Sequence, residues 1–267
     1  MAATRSHSWV PDRRSRAALA RPGHGDECWL AGVDGCPAGW VAALVRPASE
    51  EARVRVVPGF ADVASAPEAP AIIAVDVPIG LPQRIGPGGR GPEAAVRPVL
   101  GARQSSVFSV PSRAAIYAES FGEACRIGFM NSEPPRKISK QLFMIAPKIR
   151  EVDTLLRENP ALAPNVFEVH PEVAFWRLNG NRALEEPKKI RGVPHGPGLV
   201  LRRRLLIEAG LPASCVEAVP PKGARADDLL DALACAAIAR RLYAGTARPF
   251  PDPPGRDEFG LPVAIWA

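Results

Sequence analysis

The stretch AIIAVDVPIGLP at 71–82 constrains the fold more than any other part of the sequence. Its apolar residues form a continuous run that is rich in β-branched side chains, and a Gly and a Pro end it. Such a run is typical of a central strand that helices bury on both faces. The segment therefore predicts an α/β protein with this strand near the centre of its sheet.

Other extended segments lie on both sides of this strand. LAGVDGCPAGWVAALVRP at 30–47 predicts two short strands around a tight turn, and ARVRVVPGF at 52–60 alternates apolar and charged residues. Short links between consecutive strands predict an antiparallel meander. NVFEVHPEVAFWRLNG at 165–180 predicts a further strand, which a proline turn connects to a short helix.

Several segments have the spacing of helices. ARADDLLDALACAAIARRLYAG at 224–245 is the strongest candidate, and GLVLRRRLLIEAG at 198–210 is amphipathic and ends at a glycine. Pro147 predicts a break, after which another helix runs from about 148 to 158. DEFGLPVAIWA at 257–267 predicts an extra edge strand.

Composition and charge argue against several classes of protein. Aromatic residues make up 6% of the chain, too few for a stacking surface for single-stranded nucleic acid, and the net charge of +6 favours an anionic partner only weakly. The five cysteines include no CxxC pair, which predicts a cytoplasmic protein. No apolar run reaches the roughly 20 residues that span a bilayer, so we expect no membrane partner. Residues 1–28 lack an apolar period and predict a disordered tail.

Acidic residues stand at the ends of the predicted strands and at the start of the last helix. Asp34 ends the first strand and Asp76 ends the central one. Asp228 and Asp231 are three residues apart on the last helix, so both project from one face. A helix cap explains Asp227, and a turn role is the alternative for Asp34, because Asp before Gly is a turn signal.

Carboxylates that converge on one place repel each other and need divalent cations to remain ionised. Oxygen ligands of this kind suit Mg²⁺ or Mn²⁺. Two such ions about 4 Å apart form a clamp for in-line hydrolysis of a phosphodiester bond. Glu168 and Glu172, around the fifth strand, are further candidates, whereas His170 before a proline is more typical of a structural histidine.

Five motifs in order carry a resemblance to known proteins: GVDGCPAGW, AVDVPIGLP, LGARQSSVFSVPSR, FEVHPEVAF and DDLLDALACAA. The predicted order of elements resembles the ribonuclease H fold, and the acids resemble its Holliday-junction resolvase branch. The motifs, over about 30–243, are similar to the domain-of-unknown-function 429 family, often labelled predicted ribonuclease H-like nuclease. The resemblance implies one α/β domain at 29–267, with a ribonuclease H-like mixed five-stranded sheet flanked by helices. It also implies a long insertion at about 83–147, between strands four and five.

The resemblance also implies roles for the acidic residues. It identifies Asp34, Asp76, Asp228 and Asp231 as catalytic metal ligands, with Glu168 as a further catalytic residue, either a ligand or a base near the attacking water. Two ions of Mg²⁺ or Mn²⁺ are the implied cofactors. Nucleic acid is the implied partner, and the resolvase likeness suggests a homodimer.

The motif LGARQSSVFSVPSR is typical of this family rather than of the classical nucleases. It implies that Arg103 and Arg113 hold a phosphate and that Ser105 and Ser106 donate hydrogen bonds to it. This departure from the simple nuclease plan leaves an alternative open, in which the insertion shapes a pocket for a small phosphorylated substrate.

The basic run PPRKISKQLFMIAPKIR at 134–150 contains no acid. Its functional interpretation is that Lys140, Lys148 or Arg150 contacts a phosphate backbone, and the alternative is a solvated face. For the chain as a whole, the leading hypothesis is a two-metal nuclease. The alternatives are a nucleotide- or phosphoester-binding enzyme of the sugar-kinase and actin-like branch, and a non-catalytic binding module on the same fold.

Overall fold

The computed structural model describes residues 28–267 and places a five-stranded sheet at their centre. The predicted disordered tail lies outside the described residues, apart from Cys28. The strands of the sheet are β1 (Leu30–Cys36), β2 (Gly39–Val45), β3 (Ala52–Val57), β4 (Ile72–Val75) and β5 (Val166–Glu168).

The strands lie in the order β3-β2-β1-β4-β5. β1, β2 and β3 form antiparallel pairs, while β4 runs parallel to both β1 and β5. The predicted meander and the mixed five-stranded α/β sheet are therefore confirmed. β4 matches the predicted central strand to within one residue at each end, and Asp76 follows it directly.

Helices cover both faces of the sheet. They are α1 (Phe60–Ala64), α2 (Gly91–Leu100), α3 (Arg113–Ile116), α4 (Phe121–Met130), α5 (Lys140–Glu158), α6 (Pro171–Leu178), α7 (Gly196–Glu208), α8 (Ala213–Val216) and α9 (Ala226–Tyr243). Alternate residues of β1 enter two separate cores, one with α9 and the other with α5. This two-sided burial explains why β1, β2 and β4 are continuous apolar runs.

The predicted break at Pro147 is wrong, because α5 continues through this residue. Its face of Leu142, Ala146, Ile149 and Val152 is buried, and that burial offsets the backbone hydrogen bond that a proline removes. α2 to α5 all lie between β4 and β5, where the insertion was predicted. The predicted end of the insertion, at residue 147, falls within α5.

The predicted extra edge strand is not part of the main sheet. β9 (Pro262–Trp266) pairs with β8 (Pro249–Arg256) in a separate antiparallel hairpin, and Trp266 packs edge-on against Phe167 of β5. Pairing between sequence neighbours closes only a short loop and therefore costs little entropy. A second small hairpin joins β6 (Lys189–Ile190) to β7 (Val193–Pro194).

A close approach between Gly32 of β1 and Ala236 of α9 fixes the position of the last helix. A Cβ atom added at Gly32 would lie 2.0 Å from the backbone nitrogen of Ala236. Only glycine permits this contact, which brings the N-terminal half of α9 to the end of β1 that carries Asp34. In the part of the chain that is described, no helix combines the length and apolarity needed to cross a membrane.

Candidate metal centre

Three carboxylates from separate elements meet at one end of the sheet. β1 and β4 are parallel with Val33 opposite Val75, so the residues that follow, Asp34 and Asp76, are neighbours. The backbone N–H of Asp76 donates to the carbonyl of Val33 at 3.0 Å. Asp231 reaches the same place from α9, and one oxygen of each carboxylate lies within 4.8 Å of the others. We call Asp34, Asp76 and Asp231 the carboxylate trio.

Burial and mutual repulsion make the trio difficult to ionise. Burial, followed by repulsion from Asp76 and Asp231, raises the pKa of Asp34 well above its ordinary value. The same causes, burial and then the charge of Asp231, raise the pKa of Asp76 to about 8. The pKa of Asp231 is also raised, chiefly by burial. A cation at this place would remove the repulsion.

The nearest positive charge belongs to Lys188, whose ammonium forms a salt bridge with Oδ2 of Asp231. Burial of this ammonium disfavours protonation, but attraction by Asp231, Asp34 and Asp76 outweighs it and raises the pKa of Lys188. Oδ1 of Asp231 is buried and has no hydrogen-bond partner among the described residues. One ammonium therefore faces three carboxylates, and one carboxylate oxygen is left without a partner in this part of the chain.

At the start of α9, Asp227 and Asp228 make contacts that differ from the predicted ones. Asp227 was predicted as a cap, but it is buried and forms a salt bridge with Lys189 at 2.5 Å. Asp228 was predicted as a metal ligand, yet its Oδ2 accepts the backbone N–H of Arg225 at 2.9 Å in the capping box of the helix. Asp228 lies outside the trio, and burial raises its pKa.

Glu168, predicted to be catalytic, is part of a buried ion-pair network at the end of β5. Its Oε1 accepts Arg90 Nη2 at 2.7 Å, and its Oε2 accepts the N–H of Ile79 at 2.8 Å. Arg90 also pairs with buried Glu93 and donates to the carbonyls of Ile79 and Gly80. Burial raises the pKa of Glu168 to about 7, although Arg90 acts in the opposite direction. Sequence reasoning did not identify Arg90, because a single arginine in a Gly-rich loop carries no distinguishing pattern.

Glu172 and His170 lie beside this network. Oε1 of Glu172 accepts Arg202 Nη2 at 2.6 Å, and the Arg202 side chain is fully buried. Within residues 28–267, Oε2 of Glu172 and Nδ1 of His170 are buried without hydrogen-bond partners. His170 Nε2 lies 3.3 Å from the carbonyl of Ser106, and burial lowers the pKa of the imidazole.

A cavity of about 460 Å³ lies beside the trio and the Glu168 network. Its lining includes the charged and titratable residues Asp34, Asp76, Glu168, His170, Glu172 and Lys188. Of the predicted phosphate-binding residues, the lining includes Arg103, Ser105, Ser106 and Lys148. The structure thus brings most of the predicted binding motif to the same cavity as the acids.

Two predicted substrate-binding residues are not in this cavity. Arg113 forms salt bridges with Asp153, Asp257 and Glu258, so its guanidinium holds the C-terminal hairpin loop against α5. Lys140 is exposed at the first residue of α5. The salt bridges of Arg113 compete with its predicted phosphate contact. Lys140 faces solvent, where its predicted contact with a phosphate backbone stays a prediction.

Lys148 lies in the cavity wall but is partly committed to other contacts. Its ammonium donates to the carbonyl of Gly39 and lies 4.5 Å from the ring centroid of Trp40. Lys188 and Lys189 were not identified from the sequence. A pair of lysines in the segment EEPKKI is indistinguishable from a solvated loop, and only the tertiary structure places it on α9.

The donor set of the trio fits a hard divalent cation. All three residues are carboxylates, one of their oxygens is buried without a hydrogen-bond partner in the described chain, and an ammonium already compensates part of their charge. Mg²⁺ and Mn²⁺ prefer such oxygen ligands.

Comparison with known proteins shows which family the chain belongs to. No curated protein and no solved structure matches the chain. A family model described as "Protein of unknown function (DUF429)" matches residues 32–256, which is most of the chain and includes all three acids of the trio. The chain therefore belongs to the DUF429 family.

Proposed function

We propose that this protein is a metal-dependent hydrolase that cleaves phosphodiester bonds in nucleic acid. One observation carries the proposal: three carboxylate oxygens lie within 4.8 Å of one another beside a cavity that also contains Arg103, Ser105 and Ser106. Acidic groups that gather this closely suit a cation, and the cation together with arginine and hydroxyl groups suits a phosphate.

Asp34, Asp76 and Asp231 would hold Mg²⁺ or Mn²⁺. The bound ion would supply a Lewis acid that polarises phosphate and lowers the pKa of a bound water. The two-ion version predicted from the sequence uses Asp228 as its fourth carboxylate, and Asp228 would have to leave its bond to the N–H of Arg225 to act as a ligand. The contacts of the described residues therefore favour one ion at the trio.

The chain's own groups bind and orient the phosphodiester. We assign the guanidinium of Arg103 and the hydroxyls of Ser105 and Ser106 to the non-bridging phosphate oxygens. We assign the ammonium of Lys188 to the same phosphate once a cation has replaced it at Asp231. Glu168 and Arg90 neutralise each other and hold the chain near Ile79 in place, so we propose a positioning role for Glu168.

The reaction is a hydrolysis without redox chemistry. The oxygen of a water forms a bond to phosphorus while the ester P–O bond on the opposite side breaks. The departing oxygen receives a proton that the water loses. The products are a phosphate monoester and an alcohol.

The direct test uses labelled single strands, duplexes, an RNA–DNA hybrid and a four-way junction, each incubated in Mn²⁺ with the native protein and with Asp34→Asn. We expect cleavage of at least one substrate by the native protein and loss of that cleavage in the variant. Cleavage that persists in Asp34→Asn would point to a contaminant and contradict the proposal. Thermal unfolding gives a second readout. If the metal stabilises the protein against unfolding only together with a nucleotide, the kinase-like alternative is favoured.

A further inference from the structure

The cavity that Asp34 and Asp76 of the trio help to line is small and mixed in polarity. Its volume of about 460 Å³ lies within the range of about 300–1,000 Å³ that is typical of small-molecule sites. Besides the charged groups, its lining contains the apolar residues Val107, Phe108, Val110, Leu142, Ile145 and Ile265. A phosphate needs only the polar part, so the apolar part is available for another portion of the substrate.

The apolar lining comes from several separate parts of the chain. Phe108 follows the 3₁₀ turn Gly101–Ser106, which carries Arg103, and Ile145 lies on α5 one turn from Gln141. Phe108 and Ile145 are both only partly buried. A flat ring and a branched side chain beside a cationic group match the base and phosphate of one nucleotide.

The depth of the carboxylates limits how a nucleic acid can reach them. Asp34 is 9% exposed and Asp231 is 3% exposed. The phosphates of a stacked duplex are carried on the outside of a rigid rod, whereas a group inside a cavity is reached by a nucleotide that leaves the stack. A single unpaired nucleotide satisfies both the size and the polarity of this cavity.

We infer that the substrate enters this cavity as one unpaired nucleotide, with the nucleoside against Phe108 and Ile145 and its phosphate at the trio. This inference rests on the proposed hydrolase function and narrows its substrate class. It predicts action on strand ends, flaps and short single strands rather than within a paired duplex.

The first experiment compares two esters with the same leaving group, thymidine 5′-(p-nitrophenyl phosphate) and methyl p-nitrophenyl phosphate, in Mn²⁺. We expect the native kcat/KM to be at least about tenfold higher for the nucleoside ester, because stacking of a base on an aromatic residue contributes that much. Phe108→Ala should lower the ratio of the two kcat/KM values by about fivefold or more.

Phe129→Ala, at a half-exposed phenylalanine of α4, is the matched control and should leave the ratio unchanged. Hydrolysis of both esters with a ratio near one would overturn the inference and leave the hydrolase function standing. A Phe108→Ala variant that loses both activities equally would also overturn it, because the ring would then serve the fold and not the nucleoside.

The second experiment follows an end-labelled oligonucleotide, single-stranded or annealed to its complement. Shortening of the single strand from an end supports the inference, and cuts within the paired duplex overturn it. No hydrolysis of either ester or of any strand in Mn²⁺ overturns the hydrolase function and, with it, the nucleotide assignment.

Discussion

The ammonium of Lys188 forms a salt bridge with Oδ2 of Asp231, while Oδ1 of the same carboxylate is buried and has no hydrogen-bond partner in the part of the chain that the structure describes. The ammonium of Lys188 therefore supplies a positive charge that partly balances the three carboxylates of the trio. A divalent cation would satisfy the orphan oxygen and supply more charge than one ammonium. We therefore expect a bound cation to compete with the lysine for Asp231.

We expect Lys188→Met to show this competition. The substitution removes the counter-charge of Asp231, so it should lower the free energy of unfolding of the metal-free protein by about 1–2 kcal/mol. It should also increase the stabilisation by Mn²⁺, because no ammonium has to be displaced. Thermal unfolding with and without Mn²⁺ measures both effects, with Lys137→Met at an exposed lysine as control. Weaker Mn²⁺ binding in Lys188→Met would contradict the competition.

Metal binding itself is tested by Asp34→Asn. At a Mn²⁺ concentration 100 times its Kd, we expect native stabilisation of about 2.7 kcal/mol, or roughly 5–10 °C in Tm, and little or none in the variant. In the metal-free state near pH 8, the variant should be more stable than the native protein, because one repelling carboxylate is gone. Asp252→Asn, at an exposed aspartate, is the control. Equal Mn²⁺ stabilisation of Asp34→Asn and the native protein would remove Asp34 from the site.

Counting the bound ions decides between the one-ion and two-ion versions. We expect calorimetry to give one Mn²⁺ per chain, and Asp231→Asn to abolish its binding. Asp228→Ala should leave that ion bound and cost about 0.5–1 kcal/mol of stability, because it removes a helix-cap hydrogen bond. Two bound ions in the native protein, one of them missing in Asp228→Ala, would restore the four-carboxylate site predicted from the sequence.

The metal-free protein should lose stability as the pH rises. The pKa of Asp76 moves from 3.8 to about 8 on folding, so between these values the folded state holds a proton that the unfolded chain has released. The unfolded state then binds fewer protons, and the free energy of unfolding falls with rising pH. Chemical denaturation between pH 4 and about pH 8 measures the slope. Asp76→Asn should flatten the dependence, and so should excess Mn²⁺; an unchanged slope in Asp76→Asn would assign the effect to other groups.

The position of α9 depends on Gly32. In Gly32→Ala, the new methyl group would collide with the backbone of Ala236, so we expect a loss of at least about 2 kcal/mol in the free energy of unfolding. Gly122→Ala, at an exposed glycine in α4 with open space around it, should be neutral or slightly stabilising. Urea unfolding compares the two variants. A Gly32→Ala protein as stable as the native one would show that α9 can shift freely on β1.

Much of the fold follows from local pattern in the sequence. The continuous apolar run before Asp76 predicts a strand that is buried on both faces, and β4 is such a strand. Alternation at 52–60 predicts β3, and the Ala-rich run after Asp231 predicts α9. The sequence shows these features because burial of one or both faces of an element fixes the spacing of its apolar residues.

The sequence by itself also predicts that the three acids of the trio converge, because Asp34 and Asp76 end strands and Asp231 is too far into its helix to be a cap, and the structure brings the three together. It does not distinguish Asp227 from Asp228, since adjacent residues at a helix start differ only in the direction of their side chains. Nor does it show that Arg113 forms salt bridges with acidic residues, namely Asp153, Asp257 and Glu258.

Only the tertiary structure decides which charges pair with which. Lys188 meets Asp231, and Arg90 meets Glu168, across long separations in the chain that no local period records. Such pairs are set by how the elements pack, and their cost or benefit depends on burial, which is a property of the folded molecule. The sequence thus determined the strands, the last helix and the acids, and the packing of the connecting segments decided the cavity, its counter-charges and its apolar lining.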